Sequence, residues 1–419
     1  MSTETSLTSR FLRKTTGKLL LLGAVSLAFL APAHAAPLPT LEEVKSKSEQ
    51  KSDVAPSPND PLHMVVSLDE QKLSVYRGAN LVEVTPISSG KKGHSTPTGV
   101  FSILEKRKRH FSNLYDNAPM PYMQRLTWSG IALHEGRLPG YPASQGCVRL
   151  PREFAKNLYS QTSRGHHVVV TKELVKPTQV RHRGLIQPGD YRTTVASLSE
   201  SESVQQPLRG ALDDSSTANA AAQLQIPENP HFDKPLRMIV TLDSKHQHAR
   251  TLQKLLNEMG YNAGPVDGVI GRKTRAAMRL YQEEADLPIS DELTPAFLNH
   301  LYSEVGYENV PNATIRVRRK FRDIYQAPVF VKDPEADIGT HVFTALDFEQ
   351  GDLSVDWIAL PAEGDRGGRP EKVLDRLVMP KDVRERLSKM LTPGSSLIIT
   401  DRSYARNTGL GTDFVVVTR

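Results

Sequence analysis

Cysteine is almost absent from this sequence: Cys147 is the only one in 419 residues. A lone cysteine cannot form a disulfide within the chain. Three roles remain open for it, namely a buried inert side chain, a bridge to another molecule, or a reactive nucleophile. The residues around Cys147 must decide between them.

The sequence also lacks a large charge excess and a long apolar run. Its 53 Lys and Arg against 47 Asp and Glu give a net charge of +6, and no nucleic-acid-reading motif is present. This balance excludes a polycationic nucleic-acid binder and permits only a weak attraction to a polyanionic matrix such as cell wall. The apolar run Leu19–Ala31 is shorter than the roughly 20 residues that a membrane-spanning helix needs.

That apolar run is typical of an export signal. A charged region precedes it, with Arg10, Arg13, Lys14 and Lys18. Ala33-His34-Ala35 follows it as an A-x-A cleavage site. We therefore expect residues 1–35 to be a signal peptide, and the mature protein to reach the periplasm or cell wall without a stable membrane span.

Composition divides the rest of the chain into segments. Residues 36–61 are polar and proline-dotted, which predicts a disordered leader. Residues 62–172 contain short β-branched runs separated by turn residues and a single helical stretch, which predicts a mostly-β domain. Residues 173–235 are rich in Ser, Gln, Pro and charge, and are predicted to be a linker.

Residues 236–304 are predicted to form a small three-helix domain. Apolar side chains recur there at helical spacing in two stripes: Leu252, Leu255, Leu256 and Met259, then Thr274, Ala277, Met278 and Tyr281. Thr294-Pro295 is a cap and first-turn proline for a third helix. Residues 312–419 mix strand and helix patterns, which predicts an α+β region of unknown role.

The residues around Cys147, in the stretch HEGRLPGYPASQGCVRLP (residues 134–151), are of types that could make it a reactive nucleophile. A neighbouring imidazole can take the thiol proton, so His134 is the candidate base. Gly146 leaves backbone N–H groups available as an oxyanion hole. Arg149 would share a strand face with Cys147, where it could stabilise a thiolate or hold a substrate carboxylate.

The same stretch resembles the signature of the L,D-transpeptidase catalytic domain, the YkuD-type fold, in which a histidine is followed by a short loop and Ser/Thr-His-Gly-Cys-x-Arg. Residues 95–103 (STPTGVFSI) and 118–136 (APMPYMQRLTWSGIALHEG) are similar to the family's strand and run-up to the histidine. The resemblance covers about residues 62–172 and implies a β-sandwich-like domain that acts on peptidoglycan stem peptides.

The resemblance implies a role for each matching residue. Cys147 would be the nucleophile and His134 its base, with no metal or cofactor. Gly146 and Cys147 would supply backbone donors, Ser144 would be a supporting polar residue, and Arg149 would orient the site or the substrate. Gln145 departs from the family, which usually has histidine there. Glutamine cannot act as a base, although it can hydrogen-bond the substrate or the thioester oxygen.

A second resemblance lies in the helical segment, which looks like the peptidoglycan-binding type 1 domain. The matching elements are Leu252-Gln253, Gly260-Tyr261, Asp267-Gly268, Gly271, Thr274 and Tyr281-Gln282. Most of these positions suit core or turn residues, so the resemblance implies only that the module as a whole tethers the chain to wall glycan and peptide.

Together these features predict an exported, multidomain peptidoglycan L,D-transpeptidase. It would form an acyl-enzyme at the bond between the third-residue L-diamino acid and D-Ala, and pass the acyl group to an amine on a stem peptide or an outer-membrane protein. One alternative is a carboxypeptidase or endopeptidase that gives the same thioester to water. Another is a non-catalytic wall-binding scaffold. If His134 is the base, activity is expected to fall by about pH 5.

Overall fold

The computed structural model describes residues 57–190, except 114 and 116, and residues 230–418, except 405–407 and 410. The predicted signal peptide, all but the last five residues of the predicted leader, and residues 191–229 of the predicted linker lie outside the described residues.

The strands are β1 (Leu62–Ser67), β2 (Lys72–Arg77), β3 (Asn80–Pro86), β4 (Gly99–Ser102), β5 (Glu105–Arg107), β6 (Met123–Arg125), β7 (Ala132–Glu135), β8 (Val148–Leu150), β9 (His167–Thr171), β10 (Thr178–Val180), β11 (Arg237–Leu242), β12 (Ala313–Arg319), β13 (Arg322–Val331), β14 (Thr340–Ala345), β15 (Trp357–Pro361), β16 (Leu377–Val378), β17 (Ser396–Thr400) and β18 (Val416–Val417). The helices are α1 (Arg152–Gln161), α2 (Lys245–Glu258), α3 (Arg272–Glu284), α4 (Pro295–Glu304), α5 (Pro370–Arg376) and α6 (Lys381–Met390).

Two sheets form the sandwich-like unit that the sequence predicts for its N-terminal domain. One has the order β18-β4-β9-β1-β2-β3 and the other the order β5-β6-β7-β8. Alternate residues of β1 and β9 pack with side chains of β7 and β8 in one apolar core, which contains Met64, Val66, Leu133, Val148 and Val168. The mostly-β, sandwich-like fold is confirmed.

The C-terminal region is built on an eight-stranded sheet, β10-β15-β14-β17-β11-β12-β13-β16. Side chains of α5 and α6 share a core with one face of this sheet. The other face packs on the back of the six-stranded sheet, because the alternate residues Val65, Val169, Ile239 and Ile398 meet in a second apolar core. The C-terminal region is therefore stacked on the six-stranded sheet.

Two strands of the large sheet come from segments to which the sequence gives other roles. β10 lies in the predicted linker and pairs with β15. β11 lies in the predicted helical segment, yet it pairs with β12 and with β17. These pairings join residues far apart in sequence, which local periodicity does not reveal. The helical domain is thus an insertion between β11 and β12.

The insertion has the three helices that the sequence predicts, α2, α3 and α4. The Ser244 and Thr294 hydroxyls accept hydrogen bonds from the amides of Gln247 and Phe297 and so cap α2 and α4. The two predicted stripes, apart from the half-buried Met259, are buried, and with Phe297 and Leu301 most of them form one core. None of the helices in the described part of the chain is long and apolar enough to cross a membrane.

The last strand returns to the first domain. β18 pairs with β4 at the edge of the six-stranded sheet, with Val416 opposite Val100. The Thr418 amide donates to the Thr98 carbonyl at 2.9 Å. A side chain at Gly99 would collide with the Val416 carbonyl, which explains the glycine there. The C-terminal tail therefore completes the six-stranded sheet.

Candidate active site

A cleft of about 620 Å³ opens beside the four-stranded sheet. His134 and Cys147 both line it, together with Ser144, Gln145 and Arg149. β7 and β8 run parallel with His134 opposite Arg149, so residues 132, 134, 147 and 149 fall on one face. Of the six predicted site residues, five line this cleft and Gly146 lies behind it.

His134 is held in one tautomer by the backbone. Its ring is buried, and Nδ1 lies 2.6 Å from the Glu135 carbonyl oxygen, which can only accept. Nδ1 must therefore carry the proton, and Nε2 has its lone pair free to accept one. Burial, and then the nearby Arg149 charge, lower the pKa of His134 to about 4. His134 is thus a neutral base at physiological pH.

Cys147 is a protonated thiol in the resting site. Burial raises its pKa, although an Ala132 backbone hydrogen bond and the charges of Arg149 and Arg125 oppose that rise. Its Sγ–H points to the Gly130 carbonyl at 3.5 Å, and no hydrogen bond joins it to His134 among the described residues. The thiol must turn away from Gly130 before His134 can take its proton.

Ser144 and Gly146 shape the turn that presents the cysteine. Ser144 Oγ donates to the Cys147 carbonyl at 2.5 Å and accepts from the Gly146 amide at 3.1 Å. This bond occupies the Gly146 amide, so it is not free as the oxyanion donor that the resemblance implies. Gly146 is needed for its backbone instead, since its φ is +113° and a Cβ would meet Ile131 Cδ1 at 2.6 Å.

The loop between β3 and β4 clamps this turn from behind. The Ser144 amide donates to the Ser89 carbonyl and the Lys91 amide donates to the Ser144 carbonyl, both at 3.0 Å. Thr96 Oγ1 donates to the Gly146 carbonyl at 2.8 Å and accepts from the Gly90 amide at 2.9 Å. The cysteine turn is therefore fixed on both sides of Gly146.

Gln145 and Arg149 line the cleft and carry polar groups without a hydrogen-bond partner among the described residues. Gln145 Oε1 is buried without a hydrogen-bond partner. The Arg149 guanidinium has no hydrogen bond or ion pair to the described residues, and a Cβ on Gly136 would meet Arg149 Cγ at 2.9 Å. Gly136 therefore leaves room for the arginine stem to lie across β7.

The far wall of the cleft was not found from the sequence. It comes from the segment between β5 and β7 and includes His110, Met120, Met123, Arg125 and Trp128. Met120 and Met123 pack with Cys147 in a small apolar cluster. The only indication of this wall in the sequence was that residues 118–136 resemble the family's segment before the histidine. That resemblance assigned no role to any residue of the wall.

Comparison with known families identifies this unit. Residues 61–170 match the profile of the L,D-transpeptidase catalytic domain. The chain carries a YkuD-type L,D-transpeptidase catalytic domain. Residues 245–301 match a peptidoglycan binding domain, so both resemblances seen in the sequence are confirmed.

Solved structures similar to the chain include L,D-transpeptidases from three bacteria. The Mycobacterium smegmatis structure is 23% identical, with 26% of this chain and 58% of that one covered and a TM-score of 0.25. The Stackebrandtia nassauensis structure is 26% identical, with 31% of this chain and 64% of that one covered and a TM-score of 0.26. The Xylanimonas cellulosilytica structure is 26% identical, with 27% of this chain and 62% of that one covered and a TM-score of 0.25. The chain thus spans less than two thirds of the length of these structures. No curated protein matches it.

The residues that match the peptidoglycan-binding family are structural in this fold. Gln253 Nε2 donates to Asp267 Oδ1 at 2.9 Å and to Thr274 Oγ1 at 3.2 Å, and its Oε1 accepts from the Gly268 amide at 2.8 Å. These bonds fix the loop between α2 and α3. The described residues contain no cluster of His, Cys, Asp or Glu placed to bind a metal.

Proposed function

We propose that the protein is an exported peptidoglycan L,D-transpeptidase with Cys147 as nucleophile and His134 as general base. The observation that carries the proposal is the shared face of β7 and β8, which brings the thiol and an imidazole with a free Nε2 into one cleft. The matched catalytic and peptidoglycan binding domains support peptidoglycan as substrate and the cell wall as location.

The first half of the reaction forms a thioester. His134 Nε2 takes the proton of the Cys147 thiol as Sγ attacks the carbonyl carbon of the third-residue L-centre. The protonated His134 then gives that proton to the amine of D-Ala as the carbon–nitrogen bond breaks. D-Ala leaves, and the third residue stays bound to Cys147 as an acyl group. Gln145, which lines the cleft, would hydrogen-bond the substrate beside the thioester.

The second half transfers the acyl group. An acceptor amine attacks the thioester carbon while His134 removes one of its protons, and the departing Cys147 sulfur recovers that proton as a thiol. A stem-peptide amine gives a 3–3 cross-link, and an outer-membrane protein amine would give protein attachment. Water as acceptor would make the same thioester the intermediate of a carboxypeptidase or endopeptidase.

Covalent labelling tests the nucleophile. Incubation with a carbapenem, followed by intact-protein mass spectrometry, is expected to show one adduct on Cys147 that Cys147→Ala abolishes. The absence of an adduct on folded wild-type protein would favour the wall-binding scaffold. With tetrapeptide-rich sacculi as substrate, 3–3 dimers among the muropeptides support transfer, whereas tripeptides alone support hydrolysis.

A further inference from the structure

The cleft holds more positive charge than its own carboxylates neutralise. Among the described residues, the lining of the cleft includes three arginines, Arg125, Arg137 and Arg149, and one carboxylate, Glu135. Arg125 Nε is 2.9 Å from Glu105 Oε2, and Glu135 Oε1 is 3.1 Å from Arg152. Arg137 and Arg149 therefore face the cleft with no carboxylate partner among the described residues.

Of the two cations, Arg149 has the greater need of an anionic partner. It is half-buried and lies opposite His134 in the β7–β8 pair, next to the reacting groups. A guanidinium that has lost part of its hydration without gaining a counter-ion is costly, and a planar carboxylate is its best-matched partner. Arg137 is exposed one residue beyond Gly136, farther along the same side of the cleft.

Two loops beside the cleft carry further cations. Lys91 and Lys92 are exposed on the loop whose backbone bonds to Ser144, and Lys108 and Arg109 are exposed on the opposite loop. The two loops meet where the His94 ring packs edge-on against Tyr115, 6.3 Å between centroids. Cations on these two neighbouring loops, together with two unpaired arginines that line the cleft, attract anionic ligands.

We infer that the cleft selects stem peptides in which the side-chain carboxyl of the third-residue diamino acid is free, and discriminates against those in which it is amidated. This rests on the proposed function, because it names the chemical form of the same substrate. An amide replaces a carboxylate with a neutral group of nearly the same size. The amide keeps the shape and loses the charge that Arg149 and Arg137 would pair with.

The test compares two synthetic tetrapeptides that differ only in the side-chain carboxyl of the third-residue diamino acid, free in one and a carboxamide in the other. The rate of D-Ala release is measured for each. We expect the free acid to react at least about tenfold faster, since a charge-assisted pair is lost in the amide. Raising the salt concentration should reduce that preference.

Three variants with the same loss of charge locate the effect. Arg149→Gln and Arg137→Gln are each expected to lower the preference toward one. Lys156→Gln, exposed on α1 and outside the cleft, is expected to leave it unchanged. Thermal melting of each variant separates a lost fold from a lost preference.

The outcomes separate the two proposals. Equal rates for the two peptides, or faster reaction of the amide, would overturn the selectivity while leaving the transpeptidase standing. A preference that survives both arginine substitutions and high salt would overturn it as well. If neither the peptides nor a carbapenem acylates Cys147, the proposed function itself fails.

Discussion

The Cys147 and His134 side chains rest as a neutral pair. Burial raises the pKa of the thiol and lowers that of the imidazole to about 4, so an ion pair is disfavoured before substrate arrives. The thiol also points at Gly130. In the proposed mechanism, activation therefore belongs to the bound complex, in which the thiol would turn to His134 and lose its proton during attack. A resting neutral thiol is also less open to oxidation than a thiolate.

The pH profile of acylation tests this description of His134. The sequence places the acid limit near pH 5, but burial moves it lower. Protonated His134 cannot accept the thiol proton, so the rate of carbapenem acylation should hold from neutral pH to about 5 and fall with a midpoint near 4.

The measurement uses brief pH jumps with a return to neutral pH as the control for unfolding. A midpoint near the ordinary histidine pKa of about 6.5 would contradict the buried, neutral His134.

At this scale the sequence predicted residues that the fold brings into one cleft, but it did not predict their surroundings. Cys147, His134 and Arg149 could be selected because their chemistry is carried by residue type and by short spacing. The engagement of the Gly146 amide with Ser144 could not, because it depends on how a four-residue turn closes. The cleft wall that contains Met120 and Trp128 could not be predicted either, since methionine and tryptophan occur just as often in ordinary hydrophobic cores.

Among the elements, β18 contributes more to the packing of the sheets than its length of two residues suggests. Val416 is fully buried between the two large sheets, and its strand covers the edge of β4. Thr98, which bonds to Thr418 through its hydroxyl at 2.8 Å, lies two residues from Thr96 of the clamp behind Gly146. The tail thus supports the loop that holds the cysteine turn.

A matched pair of substitutions tests the tail. Val416→Ser removes a buried side chain and leaves an unpaired hydroxyl, so it should lower the free energy of unfolding by about 2–3 kcal/mol. Val82→Ser makes the same change on β3, where the side chain is 51% exposed, and should cost less than about 0.5 kcal/mol.

Urea unfolding measures both substitutions, and carbapenem acylation below the transition reports on the site. Equal destabilisation by the two would mean that β18 contributes nothing to the sheet.

The elements that the sequence predicted are those whose pattern is local. The helices α1, α2, α3, α4 and α6 could be read from periodicity and caps, whereas the partners of β10, β11 and β18 could not. Arg237 of β11 pairs with Ser396, and Gly99 of β4 pairs with Val417. No short-range signal specifies such pairings. The strands could therefore be predicted from their residue pattern, but the sheet to which each strand belongs could not.

The whole molecule is held together by a core that the two large sheets share, and that core contains buried ionisable groups. His63 and His167 lie opposite each other on β1 and β9. The buried Arg237 donates to the Gly165 and Gly394 carbonyls and lies 3.6 Å from Asp413. Burial, with His166 and Arg237 nearby, lowers the pKa of His63 to about 3, and burial lowers that of His167 well below its ordinary value.

Acid should therefore loosen the stacked sheets. The unfolded chain binds protons at these histidines near pH 6.5 and the folded chain does not, so stability present at neutral pH is lost as pH falls below about 6.5, for His63 down to about pH 3. For His63 alone the loss between pH 7 and 5 is about 2 kcal/mol.

Melting temperature against pH, for wild type and His63→Gln, measures the effect. The variant should have a shallower slope. Parallel slopes would place the acid sensitivity elsewhere.

The insertion of the helical domain between β11 and β12 has an evolutionary consequence. Leu242 and Ala313 are direct partners at the ends of those antiparallel strands, and the Asp243 amide donates to the Asn312 carbonyl at the neck. An ordinary hairpin turn could occupy the same place without moving any strand. Lineages can therefore gain, lose or exchange the wall-binding module as a cassette while the enzyme body stays intact.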